Sequence, residues 1–202
     1  MKGILKHTAL LAIITIIAGL ALGLVHEITL EPIAQAKEQQ KQNAYKSVFA
    51  DADAFEAKDF DQAEADKITS KFGKCSINEV VEAKKGNETI GYIITVTDGE
   101  GYAGNVQFTV GIDADSKVTG VSFLSIAESP GLGMNARDEA SFTEQYTKPA
   151  EPVEQFEVVK AEPASDDQIQ ALSGATITSK AVTGGVNAAL AYFSQVLKGG
   201  AA

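Results

Sequence analysis

The sequence is poor in the residues from which self-contained catalytic and metal sites are built. Its 202 residues hold one cysteine, Cys75, two histidines, His7 and His26, and no tryptophan. A lone thiol excludes an internal disulfide, and the scarcity of Cys and His excludes a zinc or iron–sulfur cluster built from this chain alone. Both histidines flank the apolar N-terminal run, so a histidine-based catalytic triad is excluded from the remainder. Cys75 reads as a small buried residue, the usual state of a free cysteine. Basic residues are also few, 17 Lys and Arg against 27 Asp and Glu, for a net charge of -10. That balance excludes nucleic-acid binding, which depends on cations neutralising phosphates. It also sets the chain against anionic lipid head groups, so attachment to a membrane needs a dedicated anchor. Internal repeats and long low-complexity tracts are absent. Any chemistry here needs an added cofactor or an unusual nucleophile.

An anchor is present. Thr8 to Val25 reads TALLAIITIIAGLALGLV, close to the ~20 apolar residues that span a bilayer as a helix. Lys2 and Lys6 precede it and Glu27 and Glu31 follow it, which predicts a cytoplasmic N-terminus and an extracytoplasmic remainder. Ala34-Gln35-Ala36 imitates a signal-peptidase site. The run is longer than a signal core, however, and that tripeptide lies well past its end, so residues 1–30 read as a retained anchor. The absence of charge between Thr8 and Val25 excludes an ion path within this span. Gly19 and Gly23 offer a small-xxx-small docking pair.

Residues 31–50 follow as a stalk. From Ile33 to Phe49 the chain is rich in Ala, Gln, Lys and Glu, strong helix formers. Ile33, Ala36, Ala44, Val48 and Phe49 give only a broken apolar stripe, which predicts a solvated spacer starting after Pro32 and docking weakly. Residues 51–202 are enough for one domain with a sizeable core. Asp51 to Lys74 has no clear period. Glu88–Thr97, Asn105–Ile112 and Lys117–Ile126 are rich in β-branched and aromatic residues and read as consecutive antiparallel strands. A Gly-rich connection, Asp98 to Gly104, joins the first two, and Asp113-Ala114-Asp115-Ser116 is a turn before the third. Phe156–Lys160 supplies a candidate further strand. From Ser179 onward, Val182, Val186, Ala189, Leu190, Phe193 and Leu197 recur at three- and four-residue spacing, an amphipathic helix for packing on the sheet, with Gly199 and Gly200 as terminators. The fold class is α+β: a single N-terminal transmembrane helix, then a domain of antiparallel sheet packed by helices.

Just before that helix stands Ser173-Gly174-Ala175-Thr176-Ile177-Thr178-Ser179. Two readings fit these small and hydroxyl residues. Their side chains can cap the helix, or the free N–H groups and partial positive charge of the helix start can hold an anion such as a phosphate. Composition does not separate the two.

The run SGATITS followed by KAVTGGVNAAL resembles the flavinylation motif of the FMN-binding domain family. That family includes the G subunit of the Rnf ferredoxin–NAD oxidoreductase and the C subunit of the sodium-pumping NADH:quinone reductase. The resemblance implies that a flavin transferase joins FMN, through its phosphate, to the hydroxyl of Thr176, with Ser173, Gly174, Ala175 and Thr178 around it. A second run, Glu128-Ser129-Pro130-Gly131-Leu132-Gly133, resembles the family's E-T-P-G-L-G loop, which lies against the flavin. Taken alone it is a turn of little side-chain bulk. Gly101-Tyr102-Ala103-Gly104 and Val110-Gly111-Ile112-Asp113 also resemble family segments, so the likeness spans approximately the whole chain. Two positions depart from the pattern. Gln170 stands where the family usually has an acid, with Asp166 and Asp167 just upstream, and Ser129 replaces the commoner Thr.

The resemblance implies an electron-transfer subunit with no catalytic acid, base or metal of its own. Its FMN would relay electrons between an iron–sulfur-bearing membrane subunit and a second covalent-flavin subunit, in a complex coupling redox chemistry to Na+ or H+ movement. The Rnf subunit is the first expectation. The alternatives are the C subunit of the quinone reductase, a free-standing anchored flavoprotein, and a non-redox ectodomain with a degenerate motif.

Overall fold

The computed structural model describes residues 2–198, so the expected terminators Gly199 and Gly200 lie outside the described residues. The chain divides into two compact units, residues 1–42 and 43–202.

The described residues of the first unit are all helical. Helix α1 runs Lys2–Val48 with Pro32 inside it, where the sequence suggests a stalk beginning after that proline. Proline lacks the N–H that would bond the carbonyl four residues earlier; strong helix formers on its C-terminal side carry the helix across it. The apolar part of α1 has a mean hydropathy of 2.6 over its best window, with no residue of that window buried. It is the one helix among the described residues long and apolar enough to cross a membrane.

The second unit is built on a five-stranded sheet in the order β1-β2-β3-β4-β5. The strands are β1 (Ala54–Lys58), β2 (Cys75–Lys85), β3 (Glu88–Gly101), β4 (Gly104–Asp113) and β5 (Val118–Ser125), every neighbouring pair antiparallel. Helix α2 (Gln62–Thr69) lies between β1 and β2 in sequence and is capped by Asp61, whose side chain accepts from the N–H groups of Ala63 and Glu64. Two short helices, α3 (Asn135–Asp138) and α4 (Ala140–Glu144), follow the sheet. Helix α5 (Thr176–Tyr192) continues into one π-type turn, Phe193–Leu197.

Strand residues point alternately to the two faces of the sheet, and here both faces are covered. Val80 pairs with Ile94, and Val81 with Ile93. Val80 and Ile94 belong to the main core with Phe108, Val182, Val186 and Phe193 of β4, α5 and the turn after it. Val81 and Ile93 form a second cluster with Tyr45, Val48 and Phe49, from the end of α1 and just beyond. This corrects the expectation of a weakly docked spacer: Ala44, Tyr45, Val48 and Phe49 are buried. The close approach depends on glycine, since a Cβ on Gly91 would meet Phe49 Cζ at 2.5 Å.

Three further elements differ from the sequence reading. Strand β2 is not legible in the sequence, because Asn78, Glu79, Glu82 and Lys84 interrupt its apolar residues. The expected connection Asp98–Gly104 shrinks to the turn Tyr102-Ala103, because β3 continues to Gly101 and pairs there with Gly104. The candidate strand at Phe156–Lys160 exists as β6 (Glu157–Val159), but it pairs parallel with β7 (Gln168–Gln170) in a separate two-stranded sheet. The other two expected strands and the C-terminal helix are where the pattern places them, α5 starting three residues before Ser179.

Candidate functional site

Three chain segments far apart in sequence meet around one cavity of about 440 Å³. The β3–β4 turn contributes Tyr102. The loop after β5 contributes Glu128, Ser129, Leu132 and Gly133, and the start of α5 contributes Gly174, Ala175, Thr176, Ile177 and Thr178. The two motifs picked out in the sequence are therefore brought to the same walls.

Each segment has a local reason for its shape. After β5, Ser129 accepts at its carbonyl from the N–H groups of Leu132 and Met134, both at 3.2 Å, and closes a tight turn. Gly131 sits in that turn at φ +74°, a left-handed conformation that glycine adopts without strain. Pro130 and Gly131 thus shape the loop without lining the cavity. Gly174 is likewise left-handed, at φ +71°, and a Cβ there would meet Leu132 Cδ2 at 2.9 Å. Gly133 is confined as closely: a Cβ on it would lie 2.6 Å from Thr178 Oγ1 and 2.8 Å from Glu128 Cβ. Small residues on each motif let the other approach.

The start of α5 bears on the capping reading of its hydroxyl-rich approach. Its N-cap residue is Ala175, and no side chain caps it. Ser179 points back instead, accepting from the Leu172 N–H and donating to the Ala175 carbonyl, both at 3.0 Å, which pins the entering loop. The first-turn N–H groups are thus left without a side-chain acceptor, the arrangement that suits an external anion. Thr176 is half-buried at this edge and Thr178 is buried. Ser173 is exposed and lines a different groove, beside Gln170, Gln145 and Phe142.

Among the described residues, Glu128 is the only one with a carboxyl group that lines the cavity. Its side chain is buried, and Oε1 has no hydrogen-bond partner. The residues that the sequence reading left out of the site are Tyr102 and Ile177. Among the described residues outside α1, the exposed large hydrophobic residues are Tyr102 at 72%, Leu132 at 46% and Ile177 at 53%, and all three line this cavity. A signal for both existed in the sequence. Tyr102 is an aromatic in a Gly-flanked turn, and Ile177 falls outside the phase of the buried face of α5.

Gln170 lies on β7, away from the cavity lining, with its N–H and carbonyl both bonded to Gln145. Asp166 and Asp167 are exposed in the preceding loop.

Comparison with known proteins agrees with this arrangement. Residues 1–48 match the RnfG N-terminal region, and residues 101–191 match the FMN-binding domain. The G subunit of the Na+-translocating ferredoxin:NAD+ oxidoreductase complex of Acetobacterium woodii is 32% identical over 200 residues, covering 98% of this chain and 95% of that protein. The G subunit of the proton-translocating ferredoxin:NAD+ oxidoreductase complex of Clostridium ljungdahlii is 36% identical over 189 residues, with coverage of 94% and 91%. In fold, the chain is similar to the crystal structure of the C subunit of the Na+-translocating NADH-quinone reductase of Parabacteroides distasonis. The TM-score is 0.58 at 18% identity, covering 82% of this chain and 96% of that one. With whole-length relatives above 30% identity and both of its regions matched, the chain belongs to the family of G subunits of ion-translocating ferredoxin:NAD+ oxidoreductase complexes.

Proposed function

We propose that this chain is the single-pass, membrane-anchored flavoprotein subunit of an Rnf-type ferredoxin:NAD+ oxidoreductase, and that its FMN is joined by a phosphodiester to Thr176. The observation that carries this reading is the meeting of the Glu128–Gly133 loop and the start of α5 on one cavity.

The residues present fit an FMN. The cavity volume is within the ~300–1,000 Å³ of ordinary ligand sites. Its walls combine apolar surface from Tyr102, Leu132 and Ile177 with polar groups at Glu128, Ser129, Thr176 and Thr178. The uncapped start of α5 suits a phosphodiester, whose remaining negative charge lies at the positive end of the helix dipole. Gly174, Ala175 and Gly133 add no side-chain bulk beyond Cβ, so a flat ring can approach the backbone. Bound FMN supplies redox chemistry in one- or two-electron steps, and the protein supplies position and electrostatics.

In this reading Thr176 is the acceptor during maturation, and no side chain acts as acid or base in turnover. Ser173 and Pro130-Gly131 shape the two loops rather than touch the ring. The partners are a flavin transferase during maturation, then a second covalent-flavin subunit and an iron–sulfur-bearing membrane subunit of the complex. Lys2 and Lys6 ahead of the apolar run support a cytoplasmic N-terminus with the flavin domain outside. The full-length likeness to G subunits favours this complex over a quinone reductase.

The test is intact mass with in-gel flavin fluorescence on wild type and Thr176→Ala, each co-expressed with the cognate transferase. The expected result is a wild type heavier by FMN less one water and fluorescent, with a mutant that is neither. A wild type that carries no flavin would sink the reading.

A further inference from the structure

We propose that Asp98, held by Cys75, is the positioning residue for the cavity wall that Tyr102 supplies: it fixes a bulge in β3 and so aims the β3–β4 turn at the flavin. The inference rests on the proposed flavin site and goes beyond it, giving a buried pair outside the cavity lining a part in shaping the cavity.

Strand β3 pairs regularly with β4 as far as Asp98, which faces Val106; the next pair is Gly101 with Gly104. Gly99 and Glu100 therefore stand opposite Asn105 alone, one extra residue on β3. A bulge of this kind bends its strand and re-aims the side chains beyond it. Tyr102 follows directly after Gly101, so the bulge sets where it faces. One residue fewer would turn Tyr102 to the other side of the hairpin.

Asp98 holds that bulge from within. Its Oδ1 accepts from the Glu100 N–H at 2.6 Å, satisfying an amide of the interrupted ladder. The neighbouring Gly99 N–H donates to the Lys74 carbonyl at 3.1 Å. Oδ2 accepts from Cys75 Sγ at 2.9 Å, at the start of β2. The Asp98 side chain is fully buried, and a carboxyl is costly to bury unless its oxygens are bonded. Here each oxygen has a donor. Helix α5 packs over the pair, since a Cβ on Gly184 would come within 3.5 Å of Asp98 Oδ2. Asp98 thus ties the bulge to β2, beneath the helix whose start bears Thr176.

The experiment uses the detergent-solubilised full chain as wild type, Asp98→Ala, Asp98→Asn, Tyr102→Ala, the double variant Asp98→Ala/Tyr102→Ala, and Val81→Ala. Val81→Ala is a core truncation in the second cluster, away from the bulge. The first reading is the fluorescence yield of bound flavin, after intact mass has measured loading. Asp98→Ala should raise the yield as Tyr102→Ala does, and the double variant should rise no further. Asp98→Asn keeps an oxygen for the Glu100 N–H and should stay at the wild-type value, as should Val81→Ala. The second reading is hydrogen exchange at the Glu100 amide in each chain carrying Thr176→Ala as well, so that no flavin is attached. Asp98→Ala should speed it about fivefold, the factor set by one net hydrogen bond, and Asp98→Asn should not. Where Asp98→Ala does not fold, Cys75→Ala decides by the same exchange reading: a faster Glu100 amide supports the inference and an unchanged one overturns it. An Asp98→Ala chain with wild-type yield and exchange overturns the inference and leaves the Thr176 assignment standing, as does a double variant brighter than either single one. A wild type that takes no flavin removes the flavin site and with it the aim of the turn, while the exchange reading still tells whether Asp98 holds the bulge.

Discussion

The side chain of Gln145 holds both backbone polar groups of Gln170: Oε1 accepts from the Gln170 N–H at 2.7 Å, and Nε2 donates to its carbonyl at 3.4 Å. The segment leading into the Thr176 loop is thereby fixed through its backbone, while the Gln170 side chain stays exposed. Gln170→Asp places an acid at this position without disturbing either bond, since both use the Gln170 backbone. It should change folding stability by no more than about 0.5 kcal/mol and speed FMN attachment by the cognate transferase, followed as a time course of intact mass. Gln145→Ala removes two bonds worth about 1 kcal/mol each and should lower the melting temperature.

Gly133 and Gly131 both adjoin Leu132 yet resist substitution for different reasons. At Gly133 a new Cβ collides with Thr178 Oγ1 and Glu128 Cβ, and overpacking of this kind costs about 1–3 kcal/mol. At Gly131 the space is open but φ is +74°, which costs an L-residue about 1–2 kcal/mol. Both alanine variants should be destabilised in urea titrations. Gly133→Ala alone should also disturb the environment of the flavin, seen as a shift in its absorption bands.

The end of α1 supplies part of the domain's core. Tyr45 donates from its hydroxyl to Glu79 Oε2 at 2.7 Å, and Tyr45, Val48 and Phe49 cover Val81 and Ile93. A fragment starting at Asn43 should therefore fold, and one starting at Asp51 should be less stable by several kcal/mol, since loss of one buried aromatic costs about 3–5 kcal/mol. Thermal unfolding of the two fragments checks this.

Cys75 and Asp98 form a buried pair, Sγ donating to Oδ2 at 2.9 Å. Burial pushes the Asp98 carboxyl above its ordinary range and pushes the Cys75 thiol up as well. An acid whose folded-state pKa is raised contributes its full stability below its unfolded pKa, about 4, and loses it as pH rises through the folded value. Wild type should therefore lose stability relative to Asp98→Asn as pH rises from about 4 towards neutrality, measured by urea unfolding across that range. Cys75 should resist alkylation until the domain unfolds.

Tyr102 stands exposed on the β3–β4 turn at the cavity mouth. An aromatic beside a flavin quenches its emission. Tyr102→Ala should leave attachment complete by mass and raise the fluorescence yield of the bound flavin.

Much of this was legible in the chain before folding. The apolar run, the β-rich middle, the amphipathic helix after Ser179 and both loop motifs are local patterns, and local patterns are what a linear sequence records directly. The sequence by itself therefore determined the anchor, the α+β class and the identity of the two loops. Tertiary structure decided what those loops share. Leu132 against Gly174, and Gly133 between Glu128 and Thr178, are contacts between segments some 40 residues apart, and no periodicity encodes them. It also decided the fate of the stalk, because the broken stripe of Ala44, Val48 and Phe49 becomes a core face only where glycines open the sheet to receive it. Glu128 shows the same division. Its place in a turn is visible in the sequence, but its burial without a partner exists only once the β3–β4 turn and α5 have closed around it.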